Sequence, residues 1–158
     1  MKISCMLNNK QTAFMTYSDK PLNLLLSEES DITSITPGCG NGRCGNCIVL
    51  IDEQPRLSCL VPAFSITGKN IQTFESFAKT KWFTHIRRAY AKLGLQPCPY
   101  CYASKSLIIH AILTENMNPS ADDILQAFSI NSCACIPEND LVEIVKTASK
   151  FRRRKRSV

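Results

Sequence analysis

A stretch of ten residues, Gly38 to Cys47, constrains the folding of this chain more than any other. It holds four of the six glycines and three of the nine cysteines in the 158-residue sequence. A further cysteine, Cys59, follows after a gap that a short hairpin spans, and the spacing of the four is C-x4-C-x2-C-x11-C. The sequence therefore predicts that three thiols share one glycine-rich loop and that a hairpin returns a fourth thiol to them.

This spacing is typical of plant-type [2Fe–2S] centres, in which four thiolates hold the cluster. We therefore predict four metal ligands here: Cys39, Cys44, Cys47 and Cys59. Backbone N–H groups stabilise cluster sulfurs, and a loop wrapped closely around them needs residues that tolerate positive φ. The glycines that meet this need are predicted to contact the cofactor: Gly38, Gly40, Gly42 and Gly45. A four-cysteine zinc site is the alternative, but zinc ribbons use two C-x2-C pairs, and this set contains one.

Four more cysteines form a second set in the C-terminal half, with the spacing C-x2-C-x31-C-x-C: Cys98, Cys101, Cys133 and Cys135. The last two suit an extended loop, because cysteines separated by one residue share a face in an extended chain and diverge on a helix. We predict a second four-thiolate metal site, for which the spacing allows either iron–sulfur or zinc. Two disulfides are the less favoured alternative in a chain that we expect not to be secreted. Cys5 remains outside both sets and is predicted to be a buried apolar cysteine.

Charge and hydropathy exclude several classes of protein. The net charge of +6 comes mainly from residues 152–156, and the remaining 14 basic residues nearly balance 13 acidic ones. The folded part is therefore not basic, and we expect no nucleic-acid partner. We expect no signal peptide in the first residues, and no apolar run approaches the roughly 18 residues that span a bilayer. We expect a cytoplasmic protein with no membrane partner.

Hydrophobic periodicity predicts a β-rich half followed by a helical half, and hence an α+β fold. The N-terminal half has five predicted strands and one helix, which suit a small β-grasp arrangement; the strands are 2–7, 11–17, 48–51, 57–61 and 71–74, and the helix is 21–28. The C-terminal half has four predicted helices: 82–93, 104–114, 121–129 and 138–151. We divide the chain into a ferredoxin-like domain (1–76), a helical metal-binding domain (77–151) and a basic tail (152–158).

The two cysteine sets, in this order, resemble those of the small iron–sulfur subunit of the molybdenum hydroxylases, the xanthine dehydrogenase and aldehyde oxidoreductase family. The likeness covers about residues 2–150. The resemblance implies a β-grasp ferredoxin-like domain and a four-helix domain, each with one [2Fe–2S] cluster. In that family a glutamine beside the second cluster contacts the pterin; here Gln96 is displaced by one residue, with Pro97 in its place.

The resemblance also implies partners: a large subunit bearing molybdopterin and a medium subunit bearing FAD. The implied role is electron transfer from the molybdenum centre through the C-terminal and then the N-terminal cluster to the flavin. The substrate would react on another chain, within an oxidoreductase complex. Two alternatives stay open, namely a free-standing two-cluster ferredoxin or redox sensor, and a zinc-stabilised interaction module.

Overall fold

The computed structural model describes residues 1–29, 31–35 and 38–154. It begins with an antiparallel hairpin of β1 (Lys2–Leu7) and β2 (Lys10–Met15). The two turn residues, Asn8 and Asn9, have φ of 51° and 66°, as the tight turns that suit strand twist require. Cys5 lies in β1 with 1 % of its surface exposed, and burial raises its pKa. Cys5, the cysteine outside both sets, is therefore a core residue, as predicted.

A second hairpin completes most of the sheet. It consists of β3 (Ile48–Ile51) and β4 (Gln54–Leu57), and β5 (Asn70–Gln72) lies between β3 and β1. The strand order is β2-β1-β5-β3-β4, with β5 parallel to β1 and antiparallel to β3. The helix α1 (Leu22–Ser27) packs its buried leucines against this sheet. The predicted β-grasp arrangement is confirmed.

The predicted strand 57–61 is wrong. The turn at Asp52 and Glu53 has two residues, both with positive φ, so β4 begins at Gln54 and pairing ends where Leu57 faces Ile48. Cys59 therefore lies in a single 3-10 turn, Ser58–Leu60, that follows the strand. The predicted strand 71–74 is also shifted, because Phe74 begins the short helix α2 (Phe74–Phe77).

All four predicted helices of the C-terminal half are present: α3 (Lys81–Leu93), α4 (Tyr102–Glu115), α5 (Ala121–Phe128) and α6 (Glu138–Arg154). The hydroxyl of Thr80 caps the start of α3, and Gly94, with φ of 63°, ends it. Helix α6 continues three residues beyond its predicted end. Arg152 is 6 % exposed, and its guanidinium lies 4.2 Å from the centre of the Trp82 ring. Residues 155–158 of the predicted basic tail lie outside the described residues.

Strand β3 contributes to two hydrophobic cores. Side chains alternate across a strand, so Ile48 and Leu50 pack with the helices of the C-terminal half, while Val49 packs with α1 on the other face of the sheet. The sheet thus lies between α1 and the helical layer. The division at residue 76/77 stays a prediction. No helix in the described part of the chain is long and apolar enough to cross a membrane.

Candidate metal centres

Backbone N–H groups point at the thiol of Cys39 in the glycine loop (residues 38–47). The amides of Arg43 and Cys44 donate to its Sγ at 3.1 and 3.2 Å. N–H donors, those of Asn41 and Cys44 first, lower the pKa of Cys39 to about 6. The loop therefore favours the thiolate, which is the form that binds metal.

At three glycines of the loop, Gly38, Gly42 and Gly45, an added Cβ would lie less than 3.0 Å from another atom. A Cβ at Gly38 would lie 2.5 Å from the Sγ of Cys44. A Cβ at Gly45 would lie 2.1 Å from a carbonyl oxygen of the loop that follows α5, and Gly45 also has a φ of 74°. Gly40 and Gly42 lie between the cysteines with φ of 68° and 80°. The backbone of the loop can therefore fold closely around its cysteines, as the sequence predicts.

Cys47 and Cys59 form the buried side of this set. Cys47 is 3 % exposed and directly precedes β3. The Ser58 amide and hydroxyl donate to the Cys47 carbonyl at 3.1 and 2.6 Å, and the Cys59 amide donates to the Cys47 Sγ at 3.5 Å. Burial, followed by the neighbouring Cys47 thiol, raises the pKa of Cys59 to about 11, against an opposing N–H donor from Gly42. The 3-10 turn thus brings Cys59 to the loop without the predicted strand.

The C-terminal cysteines form the more compact set. Their four sulfurs lie within 4.8 Å of one another, and no other group of three or more potential metal ligands in the described ranges does so. The sulfur of Cys98 is 3.5 Å from that of Cys101 and 3.6 Å from that of Cys133, and the Cys101 and Cys135 sulfurs are 3.2 Å apart. Cys101 immediately precedes α4, and Cys133 and Cys135 lie between α5 and α6. The structure therefore brings together the four residues that the sequence predicts.

The thiols of this set divide by burial. Burial opposes the thiolate of Cys98, but N–H donors from Cys101 and Tyr100 and thiol contacts together lower its pKa to about 7. Burial raises the pKa of Cys101, which is fully buried, against the opposing charge of Lys105. Burial also raises the pKa of Cys133. Binding of a cation at this set must therefore displace protons from Cys101 and Cys133, whose pKa values are raised.

A network of hydrogen bonds among residues 44–46, 105 and 131–133, called the junction, joins the two sets. The Ser132 amide donates to the Cys44 carbonyl at 3.2 Å. The side-chain amide of Asn131 donates to the Gly45 carbonyl at 2.9 Å and to the Asn46 side-chain oxygen at 3.2 Å. Because Ser132 directly precedes Cys133, one hydrogen bond separates the backbone of the N-terminal set from that of the C-terminal set.

Sequence reasoning missed two residues of this junction, Asn131 and Lys105. Lys105 lies in α4 and is 1 % exposed, and its ammonium donates to the side-chain oxygen of Asn131 and to the Cys133 carbonyl. The only sequence signal for the burial of Lys105 was its position within an apolar helical run. Gln96 is exposed in the loop that precedes Cys98, and its predicted contact with the pterin stays a prediction.

Comparison with known proteins identifies the family. A family model described as a [2Fe-2S] binding domain matches residues 73–146. The xanthine dehydrogenase iron-sulfur-binding subunit of Escherichia coli O157:H7 is 31 % identical over 152 residues, with 95 % of each chain covered. The chain belongs to the small iron–sulfur subunits of the molybdenum hydroxylases.

Two further similarities support the assignment. The nicotinate dehydrogenase small FeS subunit of Eubacterium barkeri is 30 % identical over 133 residues, with 84 % of this chain and 85 % of that protein covered. In the crystal structure of quinoline 2-oxidoreductase from Pseudomonas putida 86, a chain of 29 % identity superposes with a TM-score of 0.81, covering 98 % of this chain and 96 % of that one. The predicted fold class, a β-grasp half followed by a helical [2Fe–2S]-binding half, is confirmed.

Proposed function

We propose that this chain is the electron-transfer subunit of a molybdenum hydroxylase, an oxidoreductase complex in which the substrate reacts on another subunit. A [2Fe–2S] cluster accepts and releases one electron at a time. The observation that carries the proposal is the junction, where the Ser132 amide donates to the Cys44 carbonyl at 3.2 Å. Two four-cysteine sets joined in this way suit a chain that conducts electrons between two partners.

The proposed ligands of the N-terminal cluster are Cys39, Cys44, Cys47 and Cys59. Those of the C-terminal cluster are Cys98, Cys101, Cys133 and Cys135. The donor chemistry fits, because each set offers four free thiols and the glycine loop aims N–H groups at sulfur. Gly38, Gly40, Gly42 and Gly45 are proposed to shape the contact with the N-terminal cluster.

Each set also reaches the surface at one cysteine, Cys39 in the first and Cys135 in the second, and both are exposed. An exposed edge allows the redox group of a partner to approach each centre. The proposed partners are a molybdopterin-bearing subunit beside the C-terminal set, where Gln96 is exposed, and a FAD-bearing subunit beside the N-terminal set. The assignment of the flavin subunit rests on the family resemblance, and a cytoplasmic location is proposed with it.

The compactness of the C-terminal set favours one competing function, a zinc-stabilised interaction module. Sulfurs bound to one tetrahedral zinc at about 2.3 Å would lie roughly 3.8 Å apart, which is close to the 3.2 to 3.6 Å contacts of these thiols. The match of residues 73–146 to a [2Fe-2S] binding domain supports the cluster instead.

Metal analysis and electron paramagnetic resonance (EPR) separate these functions. We expect a brown protein with about four iron and four acid-labile sulfide per chain, and two distinct [2Fe–2S] signals after reduction with dithionite. Cys39→Ala and Cys135→Ala should each remove one signal. Cys5→Ala is the matched control, because Cys5 is buried in β1 outside both sets, and it should keep both signals. A single signal together with one bound zinc would refute the two-cluster proposal.

Affinity purification of the chain from its native cells tests the partners. We expect it to retain a flavoprotein together with a large molybdenum-bearing protein. A two-cluster protein that purifies alone would instead be a free-standing ferredoxin or redox sensor, and the subunit proposal would fail.

A further inference from the structure

A buried lysine lies at the C-terminal set, and no acidic side chain of the described residues forms an ion pair with it. Lys105 is 1 % exposed, and its ammonium donates to the Asn131 side-chain oxygen at 2.5 Å and to the Cys133 carbonyl at 2.9 Å. Neither of the ion pairs in the part of the chain that the structure describes includes Lys105. A buried ammonium bonded only to neutral oxygens is costly unless an anion balances it.

A cluster held by the four C-terminal cysteines would supply such an anion beside Lys105. Lys105 is one helical turn beyond Cys101, whose carbonyl accepts its amide at 2.8 Å, and the ammonium reaches across to Cys133. The side chain therefore spans from one pair of the predicted ligands to the other. Four thiolates around two ferric ions and two sulfides carry a net charge of −2, which becomes −3 on reduction.

The same ammonium also organises the junction. The Asn131 oxygen accepts from Lys105, and this leaves the Asn131 amide to donate to the Gly45 carbonyl at 2.9 Å. That oxygen also accepts from the Cys133 amide at 3.3 Å. Lys105 thus fixes which way the Asn131 side chain points, and it holds the backbone that carries Cys133 against the glycine loop.

We propose that Lys105 is the internal counter-charge of the C-terminal cluster and the positioning residue of the junction between the two clusters. The inference rests on the proposed function. A fixed positive charge stabilises the more negative, reduced form of a neighbouring cluster, and this effect is strong where water is excluded. Lys105 therefore raises the reduction potential of the C-terminal cluster and leaves that of the N-terminal cluster nearly unchanged.

The test is an EPR-monitored redox titration of the complete chain carrying both clusters. Lys105→Gln keeps an amide donor and removes the charge, while Lys105→Arg keeps the charge and alters the shape. Lys146→Met is the matched control, because Lys146 is an exposed lysine on α6. The C-terminal signal is identified as the one that Cys135→Ala removes.

We expect Lys105→Gln to shift the C-terminal cluster at least tenfold towards its oxidised form, which is about 59 mV for one electron. The N-terminal cluster and the Lys146→Met protein should keep the wild-type potentials. If Lys105→Gln empties the C-terminal site while Lys105→Arg fills it, the counter-charge role is also supported. Unchanged potentials in a fully loaded Lys105→Gln protein would overturn the inference, as would loss of the cluster in both variants. Absence of a second signal from the wild-type chain would instead refute the proposed function.

Discussion

Gly45→Ala tests the packing between the glycine loop and the loop that follows α5. Two costs are expected from the structure. The φ of 74° is left-handed, which costs a residue with a Cβ roughly 1–2 kcal/mol. The new Cβ would also lie 2.1 Å from the Ile130 carbonyl oxygen and 2.5 Å from the Asn131 Cα, and such overpacking costs about 1–3 kcal/mol. The free energy of unfolding should therefore fall by about 2–5 kcal/mol, a large part of the roughly 5–15 kcal/mol of a typical domain.

Gly68→Ala separates the two costs. Gly68 has nearly the same φ, 73°, and no atom lies within 4 Å of the position of its added Cβ. It should lose only the conformational part, roughly 1–2 kcal/mol. Urea unfolding of the cluster-loaded proteins, followed by visible absorbance and circular dichroism, measures both. With a slope of about 2 kcal/mol per molar urea, the additional overpacking cost of about 1–3 kcal/mol should place the midpoint for Gly45→Ala roughly 0.5–1.5 M below that for Gly68→Ala. Equal destabilisation by the two substitutions would refute the close approach of the loops.

Three further predictions concern single side chains. Asn131→Ala removes the hydrogen bonds to Gly45 and Asn46, so it should lower the free energy of unfolding in urea by about 1–3 kcal/mol. It should also slow electron exchange between the clusters in pulsed reduction, and unchanged exchange would argue against a role of the junction in electron transfer. Ser120→Ala removes the capping box of α5 and should cost about 1 kcal/mol in urea unfolding while leaving both EPR signals intact. Burial raises the pKa of Glu75, but the hydrogen bonds it accepts from Thr73, Ser34 and Thr33 outweigh burial and leave the pKa below its usual 4.5. The stabilisation that Glu75 contributes is therefore present above pH 4.5 and is lost as the pH falls below it. Glu75→Gln should therefore destabilise the protein at pH 7 and lose this effect in acid, and a pH-independent difference in urea midpoint would contradict the reasoning.

The grouping of the cysteines and glycines was the readily predictable part of the candidate site, and their roles as ligands and cofactor contacts stay predictions. Thiolate ligation and close backbone approach need particular residue types, so the spacing of Cys39 to Cys59 and of Cys98 to Cys135 carries the information directly. Hydrophobic periodicity likewise predicted all four C-terminal helices, and Gly94 marked the end of α3 at the correct residue.

What the sequence missed depends on contacts between distant residues. The hairpin turn at Asp52 and Glu53 contains no glycine, so the sequence carried no strong signal for a two-residue turn. As a result, Cys59 was predicted to lie in a strand, whereas it lies in a 3-10 turn. Lys105 looks like a solvent-exposed residue of a helix, because its burial depends on Asn131, 26 residues away. The helix α2 has four residues, too few to show a helical period.

The placement of β3 determines where this chain can be divided. Ile48 and Leu50 complete the core of the helices that follow, although they precede residue 77 by more than 25 positions. A fragment containing only the helical half would expose an apolar groove on α4 where the strand had lain, and it would lack part of its own interior. The structural unit is therefore set by a strand of the first half, and a cut between residues 76 and 77 would separate residues that pack in one core.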